Sequence, residues 1–531
     1  MIKSAPVSKT SAQMARWINA PNAVVTTASQ HASEAALHIL SQDGNAIDAA
    51  IAAAFVLSVC EPSGSGIGGQ TSLMIHLANG KTVYLDGHSF APAAVSLQRV
   101  AAKQQRFGFR ACTVPSTVAT LEQARVRFGV LGMDSVLEPA IRLAHDGFFV
   151  TDLQQRQAKW CLNDLGTPGR KPRILRINRW LNDTRLRQPT LCKTLQRMAK
   201  YGAQDFYHGA LADDIATDMA QNQGLLTAKD LASTRLPVSR KPISITYRGY
   251  EVVSTPPPGG GLQLLLALKI LERLYEPESH TDMCDWYEAV ALAVFAAFEE
   301  REKFSIHPDD FTTSIKNWVL SDARSDEIAC KLALQQHLPV VAADDEEPGE
   351  TTHLCVADKH GNTVSLTQSI QSLFGANVAN WKLGFLYNNY LVTCPRYRHP
   401  YQLGRQCLPR SNAAPTLVFR DGKLLMALGA AGSRRIISSI LQVISRTIDL
   451  KMPVAKAMAA PRVHALLDGK VWLEKPAANK KTVHKLSNLF DKVELRSKHS
   501  FVMGGAQAIS ITESGKHAAA DPRRDGQAGG W

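Results

Sequence analysis

Acidic residues are in short supply. Over 531 residues, 47 Asp and Glu face 60 Lys and Arg, for a formal net charge of +13. Between Arg156 and Lys200 there are twelve Lys/Arg against two Asp, so +10 of charge sits in one stretch. That concentration reads first as a solvated basic face and second as a field that steers an anionic substrate. Nucleic acid comes third, because no base-reading motif accompanies the charge, and no nucleic-acid partner is expected. Cysteine is sparse and irregular: nine residues, with neither zinc-ligand spacing nor a dense disulfide framework. No metal site is therefore expected, and the thiols read as free in a reducing compartment. Cys394 and Cys407 bracket a loop, and a pair between them stays open. Long apolar runs are missing too; none reaches membrane-spanning length. Met1 to Ala20 carries Lys3, Lys9 and Arg16 but no apolar signal-peptide core. A cytoplasmic protein without a membrane partner is the expectation.

What is present is a globular composition, 45% apolar and 20% charged, on a chain long enough for a large core. Residues 1–22 read as a loose polar arm. Val24–Thr27 reads as a strand. Ser33–Leu40 and Ala46–Leu57 read as helices parted by Asp43-Gly44-Asn45, a stop-and-restart signal. The second helix is almost solid Ala, Ile, Val and Phe, so it should be buried on most sides. Glu61 to Gly69 is a glycine-rich loop. It lacks the Gly-Lys-Ser/Thr ending of a P-loop, which leaves a tight turn between close backbones. Ser72–His76 and Thr82–Asp86 form a hairpin around Asn79-Gly80. Further helices are expected at 121–128, 136–146, 210–223, 262–275 and 286–304, with an alternating strand over Ile243–Val253. Pro256 to Gly261 reads as a rigid arm joined to a flexible hinge. After residue 350 strands dominate, at 354–357, 363–366, 416–419, 424–428 and 506–511, with a helix from Arg435 to Ile448 and a terminal turn at Asp521–Gly526. This order points to an α+β fold, two sheets enclosed by helical layers.

One stretch organises the rest: Pro348-Gly349-Glu350-Thr351-Thr352-His353-Leu354-Cys355-Val356-Ala357-Asp358. An acidic, turn-forming lead from Ala342 to Gly349 ends at two threonines, and an apolar strand follows. A Thr pair on a strand is ordinarily only a β-former. A threonine hydroxyl needs a base before it can act as a nucleophile. Cutting the chain between Glu350 and Thr351 supplies one, since the freed α-amine titrates near ~8. Further on, Gly429-Ala430-Ala431-Gly432-Ser433 opens a helix. Backbone N–H groups there make an anion site or an oxyanion hole, or simply cap the helix.

With these residues in view, the chain resembles the γ-glutamyltransferase family of N-terminal nucleophile hydrolases. Six markers carry the likeness in the family's order: Gly44-Asn45-Ala46-Ile47-Asp48-Ala49-Ala50, Gly66-Ile67-Gly68-Gly69, Pro256-Pro257-Pro258, Thr351-Thr352-His353, Ala460-Pro461-Arg462-Val463-His464 and Asp521-Pro522-Arg523-Arg524. The resemblance implies an αββα sandwich, made as one precursor and self-cleaved into a large subunit, 1–350, and a small one, 351–531, held together as a heterodimer. It implies that Thr351 is the nucleophile of both cleavage and catalysis. Ser369 would hydrogen-bond it, where the family usually has Thr. The N–H groups of Gly432 and Ser433 would form the oxyanion hole, with Ser433 in place of a second glycine. Ser411 and Asn412 align with paired serines, of which only the first is kept. The donor grip departs further. The family's Arg for the donor α-carboxylate is His88 here, and its Asp for the α-ammonium is Thr393. Tyr390 replaces a Gln, and Gln371 an Asn. Histidine lacks the planar fork and permanent charge of arginine. Seventeen residues separate Thr393 from Ser411, which implies a short lid loop and an open site.

The expectation is a self-processing amide hydrolase or acyltransferase. It would act through an acyl-enzyme, without metal or cofactor, on a small amide or peptide-like donor other than a plain γ-glutamyl compound. One alternative is an ordinary γ-glutamyltransferase or glutathione hydrolase whose donor is held by Arg110, Arg410 or Arg434. Another is an uncleaved, non-catalytic scaffold.

Overall fold

Two antiparallel sheets lie face to face in the structure, a computed structural model that describes residues 13–162, 173–181, 184–234, 237–280, 282–341 and 349–531. The first has eight strands, in the spatial order Gln13–Ala15, Gln527–Gly530, Val24–Thr27, Gly349–Ala357, Thr363–Ser372, Gln70–His76, Thr82–Gly87 and Val238–Arg240. The second has seven: Trp17–Ala20, Gly515–Ala520, Gly505–Thr512, Lys423–Ala431, Thr416–Arg420, Tyr250–Ser254 and Ile243–Tyr247. Strand side chains alternate between faces. In Gly349–Ala357, Leu354 and Val356 therefore join the outer core under the helices Gln30–Ser41 and Ala46–Cys60. Cys355 and Ala357 point the other way and meet Met74, Leu417, Ala427 and Ile509 between the sheets. The helices Gly261–Leu274, Met283–Lys303 and Arg435–Ile448 cover the second sheet with their own apolar cluster. This is the αββα sandwich. No helix among the described residues is long and apolar enough to cross a membrane.

Local chemistry sets these elements. Ala46–Cys60 starts at Asn45, whose side chain accepts from the N–H groups of Ile47 and Asp48 while Asp48 answers the Asn45 N–H. All fifteen of its residues are buried, as its near-absence of polar side chains demands. Some readings need correction. Residues 13–20 are not a loose arm: they supply an edge strand to each sheet, pairing the outer edges of Gln527–Gly530 and Gly515–Ala520 that would otherwise be left open. Ile243–Val253 is not one strand but two, folded back at Arg248-Gly249, both with positive φ (50° and 80°). The Pro256–Gly261 segment is buried and tied down rather than a hinge: the Gly260 N–H bonds Ala413 O at 2.9 Å and the Gly261 N–H bonds Thr255 Oγ1 at 3.1 Å. The acidic lead 342–348 and residues 163–172 of the basic stretch lie outside the described residues.

Candidate active site

Pairing between Gly349–Ala357 and Thr363–Ser372 slips between Glu350 and Thr352, where the single residue Thr351 faces two, Ser369 and Ile370, so the extra residue of the bulge belongs to the second strand. A bulge re-aims a side chain. The Thr351 hydroxyl donates to Ser369 Oγ at 3.3 Å, and Ser369 in turn donates to the Glu350 carbonyl at 2.9 Å. Ser369 also accepts the Gln371 N–H at 2.9 Å. One hydroxyl thus touches both the oxygen that could attack and the carbonyl it would attack. Gln371, at φ 82°, sits opposite Glu350 in the pairing and turns the strand end around this point. The Glu350 carboxylate is buried against Arg524, 3.2 and 3.3 Å from Nη2, and the Arg524 guanidinium lies 3.9 Å over the Phe501 ring. Glu61 opens the glycine-rich loop, which is stitched to the same hairpin through Ile370 N to Gly64 O and Phe374 N to Ser63 O. Burial, opposed by the nearby Thr352 hydroxyl and reinforced by the neighbouring Glu350 charge, raises the Glu61 pKa to about 8.

The turn before the helix Arg435–Ile448 carries left-handed backbone at two consecutive residues, Gly432 (φ 116°) and Ser433 (φ 54°). Serine adopts that region at a cost, and such outliers gather at functional sites. Successive N–H groups in a turn of this kind form an anion-binding concavity. The turn lies against the strand that leads into Thr351: a methyl group on Gly349 would come 2.8 Å from Ser433 Cβ.

His88, Ser369 and Tyr390 line one pocket of ≈ 180 Å³, together with Gln70 and Thr367. Burial raises the Tyr390 pKa, against the opposing effect of the neighbouring Ser369 and Gln70 side chains. His88 Nδ1 is 2.5 Å from Asp86 Oδ1, and its buried Nε2 has no hydrogen-bond partner among the described residues. Burial pushes the Asp86 carboxyl up, but His88 and Arg240, whose Nε is 2.6 Å from Oδ2, outweigh it and hold the pKa below its usual value. Thr393 donates its hydroxyl to Tyr390 O at 3.0 Å. Ser411 Oγ accepts the Ala413 N–H at 3.1 Å, and Asn412 Oδ1 accepts from Arg301 at 2.5 Å. Arg110 is turned aside, bonding the carbonyls of Gln223 and Arg99, whereas Arg410 and Arg434 both reach Glu302. Cys394 and Cys407 are free thiols with sulfurs 3.7 Å apart.

Sequence reasoning missed Arg524, Glu61, Arg301 and Glu302 as neighbours of these groups. The Asp521–Gly526 run reads as a terminal turn, yet Asp521 is buried between Arg462 and Arg523, and Arg523 also bonds Glu474. Charged residues crowded into a short segment after a strand were the available signal.

The sequence pattern of the gamma-glutamyltranspeptidase family matches residues 32–531. The chain is 30% identical over 545 aligned positions to the glutathione hydrolase proenzyme of Escherichia coli strain K12, covering 95% of this chain and 91% of that one. It is 33% identical to the acylase ACY 1 proenzyme of Pseudomonas sp. strain SE83, over 83% of this chain and 82% of the relative. Among solved structures, the cephalosporin acylase from Bacillus halodurans superposes with a TM-score of 0.87 at 27% identity, covering 100% of this chain and 99% of that one.

Proposed function

The chain belongs to the γ-glutamyltranspeptidase family of hydrolases and acyltransferases, and on that premise we propose a self-processing enzyme with an N-terminal Thr nucleophile whose donor is not a plain γ-glutamyl compound. In the precursor, Thr351 Oγ1 attacks the Glu350 carbonyl while the Ser369 hydroxyl, already donating to that oxygen, steadies the charge that forms there. The C–N bond breaks, the acyl group moves to oxygen, and the proton lost by the hydroxyl passes to the nitrogen, which becomes the α-amine of Thr351. Water then hydrolyses the ester, leaving 1–350 and 351–531. In the mature enzyme that amine accepts the Thr351 hydroxyl proton, and the oxygen attacks the donor amide. The N–H groups of Gly432 and Ser433 receive the oxyanion. The leaving amine departs with a proton, and water or an acceptor amine releases the acyl group. The observation that carries this reading is the Ser369 hydroxyl, placed 3.3 Å from Thr351 Oγ1 and 2.9 Å from Glu350 O.

Two observations support the donor assignment. One nitrogen of His88 is committed to Asp86, and the Thr393 hydroxyl is spent on a backbone carbonyl. A threonine hydroxyl brings no anion to an α-ammonium, and burying an ammonium without a partner costs several kcal/mol. Purified protein should run as two bands on a denaturing gel, the smaller beginning Thr-Thr-His-Leu. The processed enzyme should turn over γ-glutamyl-p-nitroanilide poorly. A single full-length band in an active preparation would overturn the processing, and efficient γ-glutamyl hydrolysis would instead favour an ordinary γ-glutamyltransferase.

A further inference from the structure

Two cysteines close a loop beside the pocket that holds Ser369. Cys394 directly follows the short helical turn Tyr390–Thr393, and Cys407 stands thirteen residues further on, with its sulfur 3.7 Å from that of Cys394. Both backbones are anchored to the body of the protein. Gln105 Nε2 donates to the carbonyls of Leu391 and Cys394 at 2.8 and 2.9 Å, and the Cys407 carbonyl accepts the Ala91 N–H at 2.9 Å. Within the loop, the Leu403 N–H bonds the Pro395 carbonyl at 2.8 Å. Cys394 is buried in a small apolar cluster with Ala91, Val95, Val100, Leu391 and Leu403, whereas Cys407 packs on the rim of that cluster and is half-buried. The Cys394 thiol, bonded to the Cys407 sulfur, holds the Cys407 thiol below its usual pKa against the effect of burial. The same contact, together with burial, pushes the Cys394 thiol well up.

Two thiols in contact can be ordinary packing. Three features point further. The sulfurs need to close by less than about 2 Å to reach the ~2.05 Å of a disulfide, and a half-buried side chain can turn that far. One thiol is reachable and favours its thiolate while the other is sheltered, which divides them into an attacking and a resolving sulfur. The ends of the loop also belong to the walls of the site: Tyr390 lines the pocket with Ser369 and His88, and Ala91 stands three residues after His88. We propose that Cys394 and Cys407 form a reversible disulfide by exchange with small-molecule disulfides, and that this bond clamps the 394–407 loop beside the active-site pocket. The Cys407 thiolate attacks one sulfur of the small disulfide, whose S–S bond breaks and releases a first small thiolate. Cys394 then loses its proton and attacks the Cys407 sulfur of the mixed disulfide, which releases the second. The two protons lost by the protein thiols pass through water to the departing thiolates. Two protein thiols are oxidised, and one small disulfide is reduced to two thiols.

The test incubates purified protein, first reduced with dithiothreitol, in buffers of mercaptoethanol and hydroxyethyl disulfide, which carry no acyl group for the enzyme to consume. After remaining thiols are blocked, trypsin under non-reducing conditions releases residues 383–396 and 406–410, each bearing one of the two cysteines. These peptides should be recovered linked, at least ~10-fold more abundantly than any other cysteine pair, and dithiothreitol should part them. The exposed Cys330 reports that the oxidant has acted. Modified Cys330 with Cys394 and Cys407 still free, or carrying separate adducts, overturns the proposal. Cys394→Ser should stop at a mercaptoethanol adduct on Cys407, whereas Cys407→Ser should leave Cys394 unmodified; the opposite pattern overturns the assigned order of attack. Amide hydrogen exchange reads the clamp: residues 394–407 should exchange at least ~10-fold more slowly in the oxidised wild type than in the reduced one. Equal exchange in the two forms overturns the clamp, and the wild-type peptide map decides the bond even where a serine variant fails to fold.

Discussion

At Ser369 one oxygen has three duties. It accepts from Thr351 Oγ1, accepts the Gln371 N–H, and donates to the Glu350 carbonyl. Removing it leaves the Thr351 hydroxyl unaimed and the carbonyl unpolarised. Since one positioned hydrogen bond is worth roughly 1–3 kcal/mol, Ser369→Ala should slow self-cleavage about ten- to a hundredfold. Ser369→Thr keeps the hydroxyl and should process near the wild-type rate. A gel time course on freshly purified precursor separates the two, and wild-type kinetics for Ser369→Ala would remove the residue from the mechanism. Arg524 makes a second case. Its guanidinium and the Glu350 carboxylate are almost wholly buried together. Taking away one partner of such a pair costs about 3–5 kcal/mol, because the other charge is stranded. Arg524→Gln should therefore misplace the scissile bond and block processing, and the neutral pair Arg524→Gln with Glu350→Gln should recover much of it. If the double variant is no better than the single, the salt bridge is not what positions Glu350.

Between elements, the two sheets approach most closely at the nucleophile strand. His353 lies on the inter-sheet side, with Nδ1 2.9 Å from Thr367 Oγ1 and Nε2 3.2 Å from Ser365 Oγ. The ring fits only because Gly429 faces it: a Cβ there would sit 2.2 Å from His353 Cε1. Gly429→Ala should force the imidazole aside and cost about 1–3 kcal/mol, the usual range for overpacking. Thermal melts should show a lower Tm, and an unchanged Tm would mean that the sheets can part there without penalty. The same element scale marks what the sequence could tell. The helix Ala46–Cys60 was legible because its cap and its apolar run are local. The hairpin around Thr351 was legible because a turn and two alternating strands lie within about two dozen residues. The edge strands at 13–20 were not, because their pairing partners lie some 500 residues away and nothing local demands them. Arg410 and Arg434 were visible as single candidates, but they meet only through tertiary packing. Glu302, the carboxylate they share, had no signal of its own.

For the whole molecule, the chain on either side of residue 350 is interleaved. Val24–Thr27 pairs with Gly349–Ala357, Gln70–His76 with Thr363–Ser372, and Tyr250–Ser254 with Thr416–Arg420. Stability is thus a property of both parts together, and buried titratable groups on both sides of 350 shape its pH dependence. Burial depresses the His353 pKa from 6.5 to about 3. Its contribution is fully present above pH 6.5 and is lost as pH falls toward about 3. Asp521 is pushed up by burial but pulled down, from 3.8 to about 2, by Arg462 and Arg523. Its contribution is present above pH 3.8 and disappears as pH falls through about 2. Glu61 runs the other way, since burial raises it from 4.5 to about 8. The folded state holds that proton more tightly than the unfolded one, so the contribution is complete below pH 4.5 and is lost as pH rises through about 8. From pH 4.5 to 6.5 the His353 and Glu61 slopes oppose each other, and Tm should change little. Below that window Tm should fall, through His353 and then Asp521. From pH 6.5 to about 8 it should fall again, through Glu61 alone of the three. Glu61→Gln keeps the shape without the titration, so its Tm should stay level from pH 6.5 to about 8 while the wild type declines. Parallel profiles for the two proteins would mean that Glu61 does not carry its proton into the folded state.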